Sequence, residues 1–378
     1  MAADSVPQRT LCVCIRGMTM NDRSNRLRAH IGRANGARSK PSAVDLFCGA
    51  GGLTEGLRQA GYAVVGAVEV DPLACRTYRL NHSRVKLWRL DIRKLSGRAI
   101  MKALKLKPGG LDLLAACPPC QGFSAMRTRN GRRRNKDPRK DLVFDVLRMV
   151  RSMRPRAVML ENVPRLAKDR RYVAFRRGLK ALGYSLKSEV LNTVEFAVPQ
   201  RRRRLVLLAA KDGDPEFGPR AASCRTVRDL IGTLKSPTRS RDSLHNYLPR
   251  HNERVKDVIS SIPRNGGSRS ALGRKAQLPC HKRADGFKDV YGRMAWDEPA
   301  PTITGGCINP SKGRFLHPRA DRAITLREAA LLQTFPRSYR FSLERGRYRA
   351  ALLIGNALPP EFIRRLAVSL KRALTAEA

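Results

Sequence analysis

Two cysteines in the stretch ACPPCQGFS, Cys117 and Cys120, lie at C-x-x-C spacing directly after the apolar run LDLLAA. Such a pair can be a redox dithiol, half of a zinc site, or one nucleophilic thiol beside a bystander. A thioredoxin-like pair would open a helix where two prolines stand here, and zinc would need four ligands, whereas the next cysteine is Cys224. Cys120 follows an apolar strand, and open α/β sheets place active sites at such strand ends, so a nucleophile is favoured over a buried structural thiol.

The Gly-rich stretch DLFCGAGG follows an apolar strand pattern and opens a helical one. Glu69 ends the next strand eighteen residues after Gly51, where a carboxylate can accept hydrogen bonds from ribose hydroxyls. Thr54 stands where a dinucleotide fingerprint has its third glycine, so a nucleoside without phosphates fits better. The alternative is a tight strand-to-helix turn without a ligand.

A carboxylate and an amide, Glu161 and Asn162, follow the apolar strand RAVML and precede Pro164. At the end of a buried strand, Glu161 is placed to donate a proton or a hydrogen bond in a partly desolvated cleft. A helix N-cap by Asn162 is the structural alternative.

Four consecutive arginines follow Gln200 and lead into the strand LVLLAA. Alternation along an extended chain puts Gln200, Arg202 and Arg204 on one face, and Arg201 and Arg203 on the other. One face is therefore predicted to serve the site and the other the sheet surface. A nonspecific phosphate patch is the alternative.

Strand patterns and helical patterns alternate between residues 42 and 212. The strands include AVDLF, YAVVGAVEV, VKLW and RAVMLE, and the helices LTEGLRQA and DLVFDVLRMVRSM, which predicts an α/β fold with a doubly wound sheet. Residues 1–41 are polar, basic and aperiodic, which predicts a disordered arm. Residues 213–320 are rich in Gly, Pro, Ser and Arg, which predicts a second, smaller irregular domain, before the C-terminal segment 321–378 regains helical spacing.

The chain of 378 residues carries a formal charge of +45, from 76 Lys and Arg against 31 Asp and Glu. Such self-repulsion favours a polyanionic partner, with nucleic acid the leading candidate and a generally basic proteome the alternative. Residues 127–140, RTRNGRRRNKDPRK, concentrate eight basic side chains shortly after Cys120. Nine scattered cysteines and the lack of a long apolar run predict a soluble protein of the reducing cytoplasm, associated with the nucleoid in a prokaryote.

In order along the chain, DLFCGAGG, Glu69, Asp91, PPCQGFS, ENV, QRRRR and GNALPP closely resemble the motifs of the DNA (cytosine-5) methyltransferase family. The resemblance covers residues 42–212 and 290–378, and seven motifs in one order are very specific. It implies a Rossmann-like S-adenosylmethionine-dependent methyltransferase sheet, with 213–320 as target recognition domain and 321–378 returning to the catalytic domain. The implied activity is methyl transfer from S-adenosyl-L-methionine to carbon 5 of a flipped-out cytosine in duplex DNA, through a covalent Cys120 adduct.

The family's catalytic positions fall on Cys120, Glu161, Asn162, Arg202 and Arg204. Cys120 matches the nucleophile that adds to carbon 6, and Glu161 the donor to ring N3, with Asn162 orienting it. Arg202 and Arg204 match the basic residues of the Q-x-R-x-R motif, which favour the thiolate. The first cysteine of the C-x-x-C pair has no family role and is interpreted as a bystander.

Cofactor and DNA contacts are implied in the same way. The cofactor positions are Phe47, Gly49, Gly51, Glu69, Asp91, Ile92, Pro119 and Asn356, whereas Val70 stands where some relatives place an aromatic ring on adenine. The DNA positions are Gln121, Ser124, Arg132, Arg133, Arg134 and Gln200, with Gln200 also holding its loop and 127–140 closing over DNA. We expect double-stranded DNA as the partner, a monomer, no metal, no membrane association, and no requirement for a companion restriction endonuclease.

Three alternatives to this activity remain. Methylation of cytosine in RNA by the tRNA-directed branch would use the same fold, but that branch has PPCQ-x-F-T where Ser124 stands here. A Rossmann oxidoreductase with a CPPC dithiol would explain the Gly-rich turn but not ENV, QRRRR or GNALPP. A catalytically silent DNA-binding homologue is disfavoured because none of the chemical residues is missing.

Overall fold

Seven strands form one mixed sheet in the part of the chain that the computed structural model describes, residues 40–119, 137–249, 251–273 and 289–375. In chain order these strands are β1 (Ser42–Leu46), β2 (Ala63–Glu69), β3 (Lys86–Arg89), β4 (Leu113–Ala116), β5 (Ala157–Asn162), β6 (Ser185–Asn192) and β7 (Arg203–Ala210). Their order across the sheet is β3-β2-β1-β4-β5-β7-β6. β7 is antiparallel to both of its neighbours, and the other adjacent pairs are parallel.

Helices cover both faces of this sheet. In chain order the described helices are α1 (Gly52–Gln59), α2 (Pro72–Asn81), α3 (Gly97–Ala103), α4 (Leu142–Met153), α5 (Arg170–Ala181), α6 (Val227–Ile231), α7 (Glu253–Ser261), α8 (Leu326–Leu332), α9 (Arg347–Asn356) and α10 (Pro360–Thr375). Ile100, Val146 and Phe175 of α3, α4 and α5 pack in the core on one face. Leu57 of α1 and Leu366 of α10 pack in the core on the other. The predicted doubly wound α/β fold is therefore confirmed.

The central strands are apolar because both of their faces are covered. Every residue of β4 and β5 is buried. β6 was not among the predicted strands, and its sequence SLKSEVLN explains why. It is an edge strand with mostly half-buried or exposed residues, so its polar side chains produce no apolar run.

The C-terminal helix α10 packs along α1 and brings the last motif beside the first. A Cβ atom at Gly56 would lie 2.6 Å from Cβ of Ile363, so this glycine permits the close approach of the two helices. A Cβ atom at Gly52 would lie 2.3 Å from the carbonyl oxygen of Leu358. The motif GNALPP, which runs from the end of α9 to the start of α10, therefore lies against α1 and the Gly-rich turn before it.

The described residues between β7 and α8 form short helices and loops around a fully buried guanidinium, Arg293. Its N–H groups donate to the carbonyl oxygens of Ile259, Ile262, His317 and Ala320 and to the Asp321 carboxylate. Loops have few backbone hydrogen bonds of their own. The hydrogen bonds that the Arg293 guanidinium donates to several of these segments therefore help to hold the segments together. The boundary at residue 213 remains a prediction, and the predicted arm lies almost wholly outside the described residues. No helix in the described parts of the chain is long and apolar enough to span a membrane.

Candidate active site

The predicted motifs lie close together, where the neighbouring strands in the middle of the sheet end. β1 and β4 are neighbours although β2 and β3 lie between them in the chain, so the direction in which the chain builds the sheet reverses there. Open α/β sheets bind ligands outside the carboxyl ends of strands at such a switch point. Leu46 pairs with Ala116 at this edge, and the Cys117 amide donates to the Leu46 carbonyl oxygen at 3.2 Å. The Gly-rich turn and the segment Cys117–Pro119 therefore lie side by side.

Glu69 is held by the backbone of the Gly-rich turn and of its own loop. Its Oε2 accepts a hydrogen bond from the Gly49 amide at 2.9 Å, and its Oε1 accepts from the amides of Val70 and Asp71. A carboxylate has about four acceptor positions, so one remains for a ligand hydroxyl. Apart from Gly49 and its chain neighbours, no described residue has an atom within 4 Å of the position that a Gly49 Cβ would occupy, which leaves room beside the turn. The remaining acceptor position of Glu69, next to this open space, could accept a hydrogen bond from a ribose hydroxyl of a nucleoside cofactor.

The other predicted cofactor residues differ in how far their side chains are exposed to solvent. Asp91 is half-buried, and its pKa is lowered to about 2, chiefly because the Arg93 side chain donates hydrogen bonds to it. The Ile92 side chain is buried in the core, so only its backbone can face a ligand. Asn356 is exposed at the end of α9, and Val70 beside Glu69 is 61% exposed. Phe47 and Gly51 lie in the turn with positive φ values of 64° and 94°, and Pro119 is half-buried.

Glu161 lies at the end of β5 with a donor on each carboxylate oxygen. Nε of Arg204 lies 2.9 Å from Oε1, and the Cys117 thiol lies 2.8 Å from Oε2. The Glu161 side chain is buried, so these two donors replace the hydrogen bonds that water would make with an exposed carboxyl group. Arg204 reaches Glu161 because β7 pairs with β5 in the register that joins Asn162 to Leu205, the residue after Arg204.

The Asn162 side chain makes its hydrogen bonds to the cysteine segment and to the Val163 amide. Its Nδ2 donates to the Pro118 carbonyl oxygen at 3.0 Å, and its Oδ1 accepts from the Val163 amide. The expectation that Asn162 orients Glu161 is therefore revised: its side-chain amide joins β5 to the backbone just before Cys120. Cys120 itself lies outside the described residues, as do Gln121, Ser124, Arg132, Arg133 and Arg134.

The predicted alternation along the arginine run is confirmed by burial. Gln200 and Arg202 are buried and the Arg204 side chain is 15% exposed, whereas Arg201 and Arg203 are exposed. Nη1 of Arg202 donates to the carbonyl oxygens of Ile303 and Gly355, so it joins the run to the motif that ends α9.

Gln200 has an internal role in this structure. It is fully buried, its Nε2 donates to Oε1 of Gln333 at 2.8 Å, and its Oε1 accepts from the Ile303 amide at 2.9 Å. The expected contact with DNA is therefore revised to the loop-holding role, because the side chain has no exposed surface for DNA.

Three residues near the site were not assigned a role from the sequence. Cys117 contacts Glu161, and Gln333 completes the junction of Gln200. Asp45, beneath the Gly-rich turn, is fully buried, and its Oδ1 has no hydrogen-bond partner among the described residues. Burial raises its pKa to about 7; a hydrogen bond from Thr54 partly offsets this, and the charge of Glu69 adds to it.

Comparisons with known proteins show which family the chain resembles over most of its length. The family model for C-5 cytosine-specific DNA methylases matches residues 42–372. The Type II methylase M.HgiDII of Herpetosiphon aurantiacus is 37% identical over 347 residues, covering 88% of this chain and 95% of that protein. The Type II methyltransferase M1.HphI of Haemophilus parahaemolyticus is 31% identical over 345 residues, covering 88% of this chain and 87% of that protein. A solved structure of a candidate DNA modification methyltransferase from an E. coli prophage has a TM-score of 0.69 at 21% identity, covering 89% of this chain and 99% of that one.

Proposed function

Since the chain belongs to the C-5 cytosine-specific DNA methylase family, we propose that it transfers a methyl group from S-adenosylmethionine to carbon 5 of a cytosine in duplex DNA, through a covalent bond to Cys120. The observation that carries this proposal is a convergence at one sheet edge. Glu161, Arg204 and the segment that leads to Cys120 meet where β4 and β5 end, and the contact between Gly49 and Glu69 lies where the adjacent strands β1 and β2 end. A group that activates a base and a group that binds a nucleoside cofactor would thus face the same cleft.

Covalent activation is needed because cytosine carbon 5 is a poor nucleophile. Addition of the Cys120 thiolate to carbon 6 forms a carbon–sulfur bond and moves electron density toward carbon 5 and ring N3. A hydrogen bond or proton from Glu161 at N3 stabilises that charge, and Arg204 positions this carboxyl group. After carbon 5 accepts the methyl group, its proton leaves, the carbon–sulfur bond breaks, and the thiolate returns to Cys120.

S-adenosylmethionine would supply an electrophilic methyl group when bound at this edge. The acceptor oxygens of Glu69 and the open space at Gly49 suit its ribose and adjoining chain. Asn356, exposed at the end of α9, is available for its methionine end. We assign Phe47, Gly51, Asp91, Ile92 and Pro119 to the same cofactor through the family motifs.

Duplex DNA is the proposed substrate because of charge and because of the relatives. The chain carries a formal net charge of +45, and two relatives that are 37% and 31% identical to it are named a Type II methylase and a Type II methyltransferase. A stacked cytosine hides carbons 5 and 6, so the base must leave the helix, and cationic side chains of residues 127–140 can hold the distorted backbone. Neither a metal nor a companion endonuclease is required by this chemistry.

The substrate class is tested by incubating the protein and radiolabelled S-adenosylmethionine with unmethylated duplex DNA or with unmodified tRNA. We expect label in DNA, located on cytosine carbon 5 after digestion to nucleosides. Label in tRNA alone would favour the RNA-directed branch. A spectral change with NAD(P)H without methyl transfer would favour the dithiol oxidoreductase.

We further propose that residues 213–320 select the DNA sequence. This part of the chain is basic and irregular, and it lacks the motif residues on which the family resemblance rests. Exchanging it for the corresponding segment of a relative should move the methylated site, which bisulfite sequencing of host DNA would detect. Methylation of the original site by the chimaera would refute this assignment.

A further inference from the structure

The Cys117 thiol occupies a position from which it can control the orientation of Glu161. Its Sγ lies 2.8 Å from Oε2, while Nε of Arg204 lies 2.9 Å from Oε1. Glu161 is 3% exposed, so water cannot readily replace either donor. One donor on each oxygen fixes the plane of the carboxyl group as well as its position.

The backbone that carries the thiol is held in place by β1 and β5. The Cys117 amide donates to Leu46 of β1, and the next residue, Pro118, accepts from Asn162 of β5. These backbone contacts lie on either side of the Cys117 side chain, so they fix its Cα atom and leave Sγ free to move only by rotation about χ1. Cys117 is thus anchored through its backbone to the ends of the sheet strands.

We propose that Cys117 is a positioning residue for methyl transfer: its thiol donates to Glu161 Oε2 and keeps this carboxyl group aimed at the target cytosine. The inference rests on the proposed function of the same site. Oε2 has a second acceptor position, so an entering base can contact this oxygen while the Cys117 contact persists, and Arg204 still holds Oε1.

The test compares three substitutions: Cys117→Ser, Cys117→Ala and Cys117→Val. Serine keeps a donor, alanine removes it, and valine removes it while filling a similar volume. We expect alanine and valine each to lower kcat for methylation of unmethylated duplex DNA by about fivefold, since one hydrogen bond that orients the carboxyl group is lost. Serine should remain within about twofold of the wild-type protein, and KM for DNA should change less than kcat in all three.

A matched control is Cys307→Ala, because Cys307 is a fully buried thiol in a separate cluster of the core. It should leave kcat unchanged. Equal kcat values in the wild type, Cys117→Ala and Cys117→Val would overturn the inference, as would a loss in alanine that valine restores, which would indicate packing alone. An inactive wild-type protein would instead contradict the proposed function, so the two failures are distinguishable.

Discussion

The side-chain amides of Gln200 and Gln333 are joined by a hydrogen bond of 2.8 Å in the buried junction between the arginine run and α8. Gln200 also accepts from the Ile303 amide, and Gln333 donates to the Ile354 carbonyl oxygen at 2.6 Å. Both side chains are fully buried. The two amides therefore connect the arginine run, the loop at Ile303 and α9, which are distant in sequence.

Replacing Gln200 by alanine should lower the free energy of unfolding by about 1–3 kcal/mol, because it leaves buried amide groups without partners. Chemical denaturation measures this change. The control is Arg201→Ala, whose ion pair with Glu298 is more than half exposed and which should shift stability by less than about 0.5 kcal/mol. Equal stability of Gln200→Ala and the wild type would contradict a structural role for this amide.

The parts of the fold that the sequence predicted are those with local signals. β1, β4 and β5 consist mostly of buried apolar residues, and the turn after β1 contains three glycines within four residues. The contacts made by Cys117, Asn162 and Gln333 gave no such signal. They depend on which strands become neighbours and on the return of the C-terminal segment, and neither is encoded in any short window of sequence.

Glu161→Gln should reduce kcat by about 100-fold or more, because an amide keeps the shape of the carboxyl group but cannot exchange a proton with the base. Binding of DNA and of S-adenosylmethionine should be retained within a few-fold. Steady-state kinetics with filter binding separates these quantities. Glu189→Gln is the matched control, since Glu189 lies on the edge strand β6 and pairs with Arg220 at the surface. Similar kcat values for both variants would remove Glu161 from the mechanism.

Asp45→Asn should change how stability depends on pH. The pKa of Asp45 is raised to about 7 in the folded protein, chiefly by burial, from 3.8. Between these values the folded protein keeps a proton that the unfolded chain has released, so the stability contributed by Asp45 is fully present below 3.8, falls as pH rises and levels off above about 7.

The unfolding free energy of the wild type relative to Asp45→Asn should therefore decline by about 1.4 kcal/mol per pH unit between about pH 5 and 7. Urea unfolding of both proteins at several pH values measures this difference. His82 and His317, whose pKa values burial lowers to about 4, titrate with the opposite sign but are common to both proteins. A difference independent of pH would show that Asp45 does not titrate in this range.

Binding to DNA should depend steeply on salt if residues 127–140 contact phosphates. The test variant replaces three arginines of this segment by alanine: Arg132, Arg133 and Arg134. Its log–log slope of affinity against salt should be shallower by up to about 2.7, since each neutralised phosphate contributes about 0.9. The control removes the same charge from exposed positions of α5: Arg176, Arg177 and Lys180. If both variants shifted the slope equally, the segment would have no special role in DNA binding.

The covalent bond between Cys120 and cytosine carbon 6 is the step on which the proposed mechanism depends. Fluorine at carbon 5 cannot leave as a proton does, so duplex DNA containing 5-fluorocytosine and S-adenosylmethionine should trap the wild-type protein after methyl transfer. Peptide mapping by mass spectrometry should then find the modified base on Cys120, while Cys120→Ser binds DNA but forms no adduct. An adduct on Cys117, or full methyl transfer by Cys120→Ser, would contradict the mechanism.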